Sequence, residues 1–574
     1  MNSYHNSTTV SFNPFRDGEL VTSVPTTASQ REIWASIEMD PNANRCYNES
    51  IRIALKGKLD FPALERAFNE TIASRDALRA TFSPRGKDFM VGVHTPRKID
   101  FMDCTGNFDH EETVEAHART CTEYEFDLNS GPVFKAEVLK VSEQEHYMFL
   151  TGHHLVCDGW SMALIVSDIS NYYKLLTKKG AIPLKVDVPR FYEYALEKST
   201  QDQEIPKYWL DEFRDLPSEL NLPLDFNRPS IRTYDSIRID YHISPETIND
   251  ARSYAARNKK SIYQLLLANF AFLLNDLTKQ EEIVVGISSA AQANNGHENL
   301  VGHLVNLLPI KFNFKHDMPF FLLFEQAKNK MLDAFDHQNT TFGEILKHLK
   351  IPRDPSKIPL VNVIFNVDQQ YPGQGMEFGE LSAQYVSNPR NFENFEIFIN
   401  ATLLGDICTL ECQYNSNLFK EETIKAWLKT YETNLKQIIS GTNLKASVEK
   451  TPSGKKEAIK PAPSPDENEL SIARDIWQEV LKLKDIPANA NFFAIGGHSL
   501  LGVDVCHLAK EKYDVNVKLK DLLCAPTLAE FSTYFFNCSR INPIETPVEK
   551  KSRYPLSSAQ KQTLFWEKLN PNNS

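Results

Sequence analysis

Thr151-Gly152-His153-His154-Leu155-Val156-Cys157-Asp158-Gly159-Trp160 decides how the rest of the chain reads. Two adjacent histidines followed by an aspartate and a glycine are its densest cluster of potential chemistry. Before it, Tyr147-Met148-Phe149-Leu150 is short, aromatic and apolar, in the manner of a buried strand. After it, residues 161–176 repeat apolar side chains at helical spacing. The cluster is therefore expected on a strand-to-helix turn. In strand geometry successive side chains point to opposite faces, so His153 and His154 cannot both line one pocket. One is available for chemistry and the other is structural.

Three readings of the pair compete. Both rings can be core histidines satisfied by the backbone. A metal centre is not expected, because opposed rings cannot share an ion and no further Cys/His pair follows at ligand spacing. The third reading is an acyl-transfer base: a neutral imidazole accepts a proton from an attacking amine or hydroxyl, and Asp158 orders the loop that aims it.

Other stretches bear on the choice. In order, they are Thr27-Ala28-Ser29-Gln30-Arg31 with Trp34; Arg75-Asp76-Ala77-Leu78-Arg79-Ala80-Thr81-Phe82; Tyr192-Glu193-Tyr194-Ala195; Val301-Gly302-His303-Leu304-Val305-Asn306; His337-Gln338 with Phe342; and Arg353-Asp354-Pro355-Ser356 with Pro359-Leu360. Together with His-His-x-x-x-Asp-Gly they resemble, in the same order, the seven motifs of the condensation domains of nonribosomal peptide synthetases, themselves similar to chloramphenicol acetyltransferase. The resemblance runs from about residue 22 to 440.

Composition agrees with a large assembly protein. A chain of 574 residues exceeds one ordinary domain, and 41% hydrophobic content suffices for more than one core. A formal charge of -12 argues against nucleic acid and anionic membrane as main partners. Nine cysteines at scattered spacing suggest reduced thiols, and Cys408 and Cys412 share a face if their stretch is a strand. Residues 1–17 are polar without a signal-peptide core, and the apolar stretch 262–274 is too short to span a bilayer, so a cytoplasmic protein with a buried helix there is expected.

Along the chain, residues 1–20 are read as a flexible lead or docking segment. Residues 21–445 form the large unit, in lobes of about 21–185 and 186–445, with a proline-rich crossover at 182–189. In the first lobe, residues 59–74 carry a helical apolar face of Phe61, Leu64, Ala67, Phe68 and Ile72. In the second, 283–287, 360–367 and 408–414 read as strands, and 320–335 and 421–439 as helices. Residues alone support α+β in two halves. The resemblance implies two chloramphenicol-acetyltransferase-like lobes forming a V-shaped condensation domain, followed by a small all-α four-helix carrier domain.

Residues 446–465 shift to Lys, Pro, Ser and Ala, as in a linker. Within it, Lys450-Thr451-Pro452-Ser453-Gly454-Lys455, with Pro461-Ala462-Pro463 beyond, resembles the closing motif of adenylation domains, but the linker has no room for such a domain. A helical unit is read at 466–540. Ser464-Pro465-Asp466-Glu467 is a capping box, Ala473, Ile476, Trp477, Val480 and Leu481 share a face, and Thr527 to Glu530 caps a last helix. Between them, Asn491-Phe492-Phe493-Ala494-Ile495-Gly496-Gly497-His498-Ser499-Leu500 places glycines and a serine at a helix start. Serine there is ordinarily an N-cap, yet the same geometry sets its hydroxyl beside free N–H groups that can hold a phosphate. The stretch closely resembles the attachment site of peptidyl carrier (thiolation) domains, which implies 4′-phosphopantetheine on Ser499. At an offset of 530, Pro25, Gln30, Pro41 and Asn42 recur as Pro555, Gln560, Pro571 and Asn572, so 541–574 reads as a linker and the truncated start of a second condensation domain.

Because the carrier follows rather than precedes, the resemblance implies condensation rather than epimerisation. An upstream carrier delivers an acyl or peptidyl thioester, and a carrier-bound amino acid supplies the amine. His154 is then the catalytic histidine with His153 beside it, Asp158 a support, and Gly159 room for an approaching arm. Implied partners are the upstream carrier protein, a separate adenylating enzyme that loads the carrier, a phosphopantetheinyl transferase and a downstream condensation domain. An ester-forming acyltransferase of the same fold and a non-catalytic carrier-recruiting domain are the alternatives. One departure stands out: where the family commonly has an arginine facing the motif aspartate, this chain reads Ser288-Ser289-Ala290-Ala291-Gln292. A buried aspartate without a cation needs hydrogen bonds instead, with Gln292 the near candidate and Arg353 a distant one.

Overall fold

The computed structural model describes residues 19–107, 109–178, 188–200, 205–294, 296–349, 351, 354–368, 376–449, 467–493, 495–497 and 499–540. Outside the described residues lie nearly all of the lead segment, most of the 182–189 crossover, Arg353, the adenylation-like stretch from residue 450, most of the 464–467 capping box, His498, and the repeat at 541–574.

Strand Glu145–His153 is the centre of a five-stranded sheet ordered Ser382–Ser387, Asn48–Lys56, Glu145–His153, Phe134–Ser142, Asp100–Asp103. Its near-continuous apolar run has a simple cause: both faces are covered. Helices Phe61–Ser74 and Gly159–Leu176 pack together on one face, where Leu64, Ala67, Phe68 and Ile72 join Met148 and Leu150 in one core. Helix His110–Thr122 covers the other through Val114, Ala118 and Cys121 against Phe149. A second, three-stranded sheet (Leu20–Pro25, Asp88–Gly92, Ala80–Phe82) closes this lobe.

The second lobe is a six-stranded sheet ordered Val305–Asn313, Glu282–Ala290, Val363–Asp368, Ile397–Leu404, Ile407–Asn415, Ser236–Ile243. Helices Pro245–Arg257, Ile262–Thr278, Phe320–Asp336 and Glu421–Ile439 contribute to its core. The stretch that is apolar all round, Ile262–Thr278, is a buried helix whose start is closed by a Ser261/Gln264 capping box. Strand alternation then sorts the sheet: Val363, Phe365, Ile399, Cys408 and Cys412 go to the core, while Ile364, Asn366, Asp368, Asn400, Glu411 and Gln413 line the cleft. The strand expected at 360–367 begins only at Val363, because Leu360 takes a left-handed φ of 69° that interrupts an extended run.

The lobe boundary expected at 185/186 is corrected by the packing. Phe191 and Ala195 of helix Phe191–Thr200 belong to the first core. So do Leu300, Val301, Leu304, Phe378 and Leu381, and strand Ser382–Ser387 pairs with Asn48–Lys56, Tyr385 opposite Ile53. The second half of the chain thus reaches back into the first lobe twice. Motif residues pin these crossings: Arg75 Nη1 donates to Asn299 O at 2.5 Å, and Asp76 accepts from Phe191 N and Tyr192 N, both at 2.9 Å.

Helices Glu467–Leu481, Ser499–Tyr513, Leu519–Cys524 and Leu528–Arg540 form the small terminal unit. Trp477, fully buried, meets Phe492 at 5.0 Å and Phe531 at 5.6 Å between ring centroids. Thr527 and Glu530 form the expected cap. This unit sits on helix Ala28–Met39 of the first lobe, with Ala35 buried in its core and Met39 packed against it. Lys87 Nζ pairs with Asp504 Oδ1 at 2.7 Å, and Arg85 with Glu511.

Candidate functional site at the base of the interlobe cleft

A cavity of about 1000 Å³ lies between the lobes and is lined by both. The double histidine reaches it at the end of strand Glu145–His153. His153 is the last strand residue and points into the first core; it is 0% exposed, and its Nδ1 accepts from Leu155 N at 3.2 Å. Burial, then the neighbouring His154, pushes this ring down to about 3, so it is neutral. Its grouping with the catalytic residues is therefore corrected: it does not line the cavity. His154 begins the turn, donates its backbone N–H to Tyr47 O at 2.7 Å, and does line it. The expectation that only one ring of the pair faces the cleft agrees with this placement.

His154 Nε2 lies 3.3 Å from Glu49 Oε2, while its buried Nδ1 has no hydrogen-bond partner among the described residues. Glu49 is held from the other side by Arg390 Nη2 at 2.6 Å. Burial would raise the Glu49 carboxyl, but the Arg390 guanidinium, then the hydrogen bond and charge of His154, outweigh it and hold the group down at about 2. The result is a row of cation, carboxylate and imidazole. His303 completes the wall, 6% exposed, its ring edge-on to His154 at 5.7 Å between centroids. Burial, then the neighbouring His154 and His153, pushes its ring well below the ordinary histidine value.

Asp158, 1% exposed, caps helix Gly159–Leu176 by accepting from Ser161 N at 2.8 Å. It also accepts from Leu304 N (2.9 Å), Val305 N (3.1 Å) and, on both oxygens, Gln292 Nε2 (3.1 and 2.9 Å). Backbone dipoles, a helix N-terminus and one carboxamide thus replace the missing arginine, which is how a buried carboxylate is satisfied without a cation. Gln30 ties the same loop to helix Ala28–Met39, its Nε2 donating to Leu155 O at 2.7 Å. Gly159 lines the cavity, and a Cβ there would make only ordinary contact, 3.9 Å from Glu49 Oε1. The space beside it is the cavity's own rather than a gap that only glycine opens.

A family model described as condensation domain matches residues 21–459, and a second, described as phosphopantetheine attachment site, matches residues 472–535. The chain belongs to the condensation domain family. It is similar to surfactin synthase subunit 2 of Bacillus subtilis (strain 168), 26% identical over 439 residues that cover 76% of this chain and 12% of that protein. It is also similar to bacitracin synthase 3 of Bacillus licheniformis, 28% identical over 404 residues, 69% of this chain and 6% of that one. The chain thus spans only a small part of the length of these relatives. Among solved structures, a holo four-domain nonribosomal peptide synthetase bound to AMP and glycine superposes with TM-score 0.66 at 18% identity, over 75% of this chain and 34% of that one. The first condensation domain of the CDA synthetase gives 0.64 at 18% over 74% and 98%, and the X-domain from teicoplanin biosynthesis 0.64 at 20% over 73% and 96%. The condensation domain of this chain is therefore followed by a carrier domain, and no more than twelve residues separate the two matches, too few for an adenylation domain between them.

Phosphopantetheine belongs to that carrier domain. Ser499 is the first residue of helix Ser499–Tyr513. The turn before it suits a cofactor phosphate: Gly496 has φ 109°, a conformation for glycine, and a Cβ on Gly497 would meet the Phe492 ring at 2.3 Å. The first N–H groups of the helix face this turn, the ordinary setting for a phosphate.

Sequence reasoning named His154, Asp158, Gly159 and Ser499 but missed Glu49, Arg390 and the placement of His303 in the wall. Glu49 sits on a neighbouring strand opposite Gly152, and Arg390 is more than 200 residues further on, so no local spacing announces them. His117, Cys121 and Glu137 also converge, one ligand atom each within 4.8 Å; the thiol donates to Glu137 at 3.1 Å and Lys135 Nζ stands 3.2 Å from the same carboxylate, while the buried His117 Nε2 has no hydrogen-bond partner among the described residues.

Proposed function

We propose that this chain forms an amide bond between an upstream carrier-bound acyl or peptidyl thioester and a carrier-bound amino acid, with His154 as the catalytic residue. The observation that carries the reading is the row Arg390, Glu49, His154 opening on a cavity bounded by both lobes. With Nε2–H directed at Glu49, the Nδ1 lone pair of His154 is left to accept a proton. The acceptor nitrogen bonds to the donor carbonyl carbon, the carbon–sulfur bond breaks, and the proton released by nitrogen passes through His154 to the leaving thiol. Glu49 steadies the imidazolium that forms, and Arg390 keeps Glu49 charged. Asp158 positions the turn and ties it to the second lobe. Bound on Ser499, 4′-phosphopantetheine supplies the thiol that carries substrate. The carrier's seat on helix Ala28–Met39, whose Ala28, Ser29, Glu32 and Ala35 also line the cavity, favours this carrier as one that serves the site directly.

The remaining partners follow from the chain's make-up. With no adenylation domain between the two units, we infer that a separate adenylating enzyme loads Ser499 after a phosphopantetheinyl transferase has modified it, while an upstream carrier brings the donor. The carrier's product is inferred to pass to a downstream condensation domain. Free thiols at the seven cysteines whose side chains the structure describes support a reducing, cytoplasmic setting, and no described helix is long and apolar enough to cross a membrane. A non-catalytic recruiting role is disfavoured by the charged row behind His154, which a docking surface does not require. Intact-protein mass spectrometry with one donor thioester and matched amine- and hydroxyl-bearing acceptors tests the reading: amide product supports it, and ester product alone overturns it. ATP–pyrophosphate exchange by the purified chain with any amino acid would overturn the dependence on a separate loading enzyme.

A further inference from the structure

One strip of the wall that the second lobe presents to the cavity is polar, set among apolar neighbours such as Ile364, Val367 and Phe398. Alternation along strand Val363–Asp368 turns Asn366 and Asp368 inward, Asn400 stands opposite Asn366 on strand Ile397–Leu404, and Glu411 opposite Asn400 on strand Ile407–Asn415. The row is linked: Asn366 Nδ2 donates to Asp368 Oδ1 at 3.1 Å, and Asn400 Nδ2 to Asp368 Oδ2 at 2.9 Å and Glu411 Oε2 at 3.1 Å. Placing such groups out of bulk water costs free energy that packing does not return.

The charges in this cavity are not balanced. Its lining carries seven carboxylates against five arginine and lysine cations, with both lining histidines beside them. Glu411 is paired with Arg238 at 2.7 Å and Glu49 with Arg390, Glu393 takes two backbone N–H groups, and Asp158 takes its five hydrogen bonds. Asp368 has only its two carboxamides; among the described residues no Lys, Arg or His stands at ion-pair distance from it. Burial, reinforced by the nearby carboxylates of Glu411 and Glu49 against those two hydrogen bonds, raises its carboxyl. A carboxylate kept in this state inside a cavity lacks a cation that a ligand can bring.

We propose that Asp368 and its row of Asn366, Asn400 and Glu411 bind a cationic side chain of the substrate, a protonated amine or guanidinium, so that the cleft selects a basic residue over an apolar acyl chain. The proposal rests on the amide-forming reading and names the substrate class of that same site. A protonated amine offers three donors to Asp368 Oδ atoms and the carboxamide oxygens, whereas an apolar chain buries the row without partners. Sites built around a hydrogen bond reject analogues that lack it far more strongly than apolar pockets reject a missing methylene. The cation can arrive on the donor or on the acceptor.

Two panels separate those sources. In one, the intact chain receives lysyl or norleucyl donor thioesters with a fixed acceptor; in the other, lysyl or norleucyl groups are loaded on Ser499 with a fixed donor. Lysine and norleucine differ by the terminal amine. One panel is expected to favour lysine at least tenfold in amide formation, and Asp368→Asn, which keeps the shape of the row, to bring the two within twofold. Comparable rates for lysine and norleucine in both wild-type panels, or an undiminished preference in Asp368→Asn, overturn the proposal. If no pair yields amide, the amide-forming reading fails by itself, and calorimetry with non-hydrolysable lysyl and norleucyl N-acetylcysteamine thioethers still decides. Tighter lysyl binding that Asp368→Asn abolishes supports the site, and equal binding removes it.

Discussion

The carrier's attachment turn and the interlobe cleft solve opposite problems. The attachment site is one local stretch, a glycine turn and the first residue of a helix, and its reactivity arrives with the group it carries. The cleft draws Glu49, His154 and Asp158 from the first lobe and Gln292, His303 and Arg390 from positions far along the chain, and in the proposed reaction its reactivity depends on what surrounds a single imidazole. A serine that needs only exposure can be specified by neighbours in sequence. An imidazole that needs a carboxylate and its guanidinium partner from distant segments has to be assembled by folding.

The largest effect is expected at the local site. Ser499→Ala removes phosphopantetheine incorporation completely, read as the absence of the mass addition seen in the wild-type chain after treatment with a phosphopantetheinyl transferase, Mg²⁺ and coenzyme A. An addition that survives would place the arm elsewhere and dissolve the contrast. Next, His154→Ala lowers amide formation by about 10²–10⁴-fold, the range for a positioned base, while carrier loading is unchanged. An active His154→Ala beside a folded, inactive His153→Ala would reverse the roles of the pair.

Glu49→Gln keeps the shape but removes the charge behind His154 and leaves Arg390 with Glu393, 3.8 Å away. Losing a charge-assisted hydrogen bond of about 1.5–3 kcal/mol corresponds to roughly a 10- to 150-fold slower reaction. The loss is expected in kcat with KM nearly unchanged, since Glu49 acts through the imidazole; a change confined to KM would make it a substrate contact instead. The smallest effect concerns His153. Its folded ring stays neutral down to about pH 3, whereas the unfolded ring takes up a proton near 6.5, so stability falls as pH drops below 6.5. Relative to His153→Gln, the wild-type chain is expected to lose about 1.4 kcal/mol more per pH unit between pH 6 and 4, measured by denaturant unfolding. Parallel pH dependences would mean that the ring is charged in the folded state.

By itself, the sequence determined the two-lobed α+β architecture, the order of condensation and carrier domains, the turn that bears His154 and the helix that begins at Ser499. The two α+β halves, the turn and the helix start rest on short-range signals, namely strand alternation, helical periodicity, caps and glycines, whereas the condensation and carrier order rests on the resemblance of contiguous motifs. The sequence also left Gln292 and, more distantly, Arg353 as candidate partners of Asp158, because a buried carboxylate without arginine must find another donor; Gln292 is the one that donates to it. Only the tertiary structure decided that Phe191 and strand Ser382–Ser387 belong to the first lobe, that Glu49 and Arg390 stand behind His154, and that Asp368 faces the cavity with no cation at ion-pair distance among the described residues. The reason is physical. Glu49 and Arg390 occupy strand and loop positions that read as ordinary surface charge until a sheet pairing and a lobe crossing carry them out of water, where charges interact more strongly than at a solvated surface.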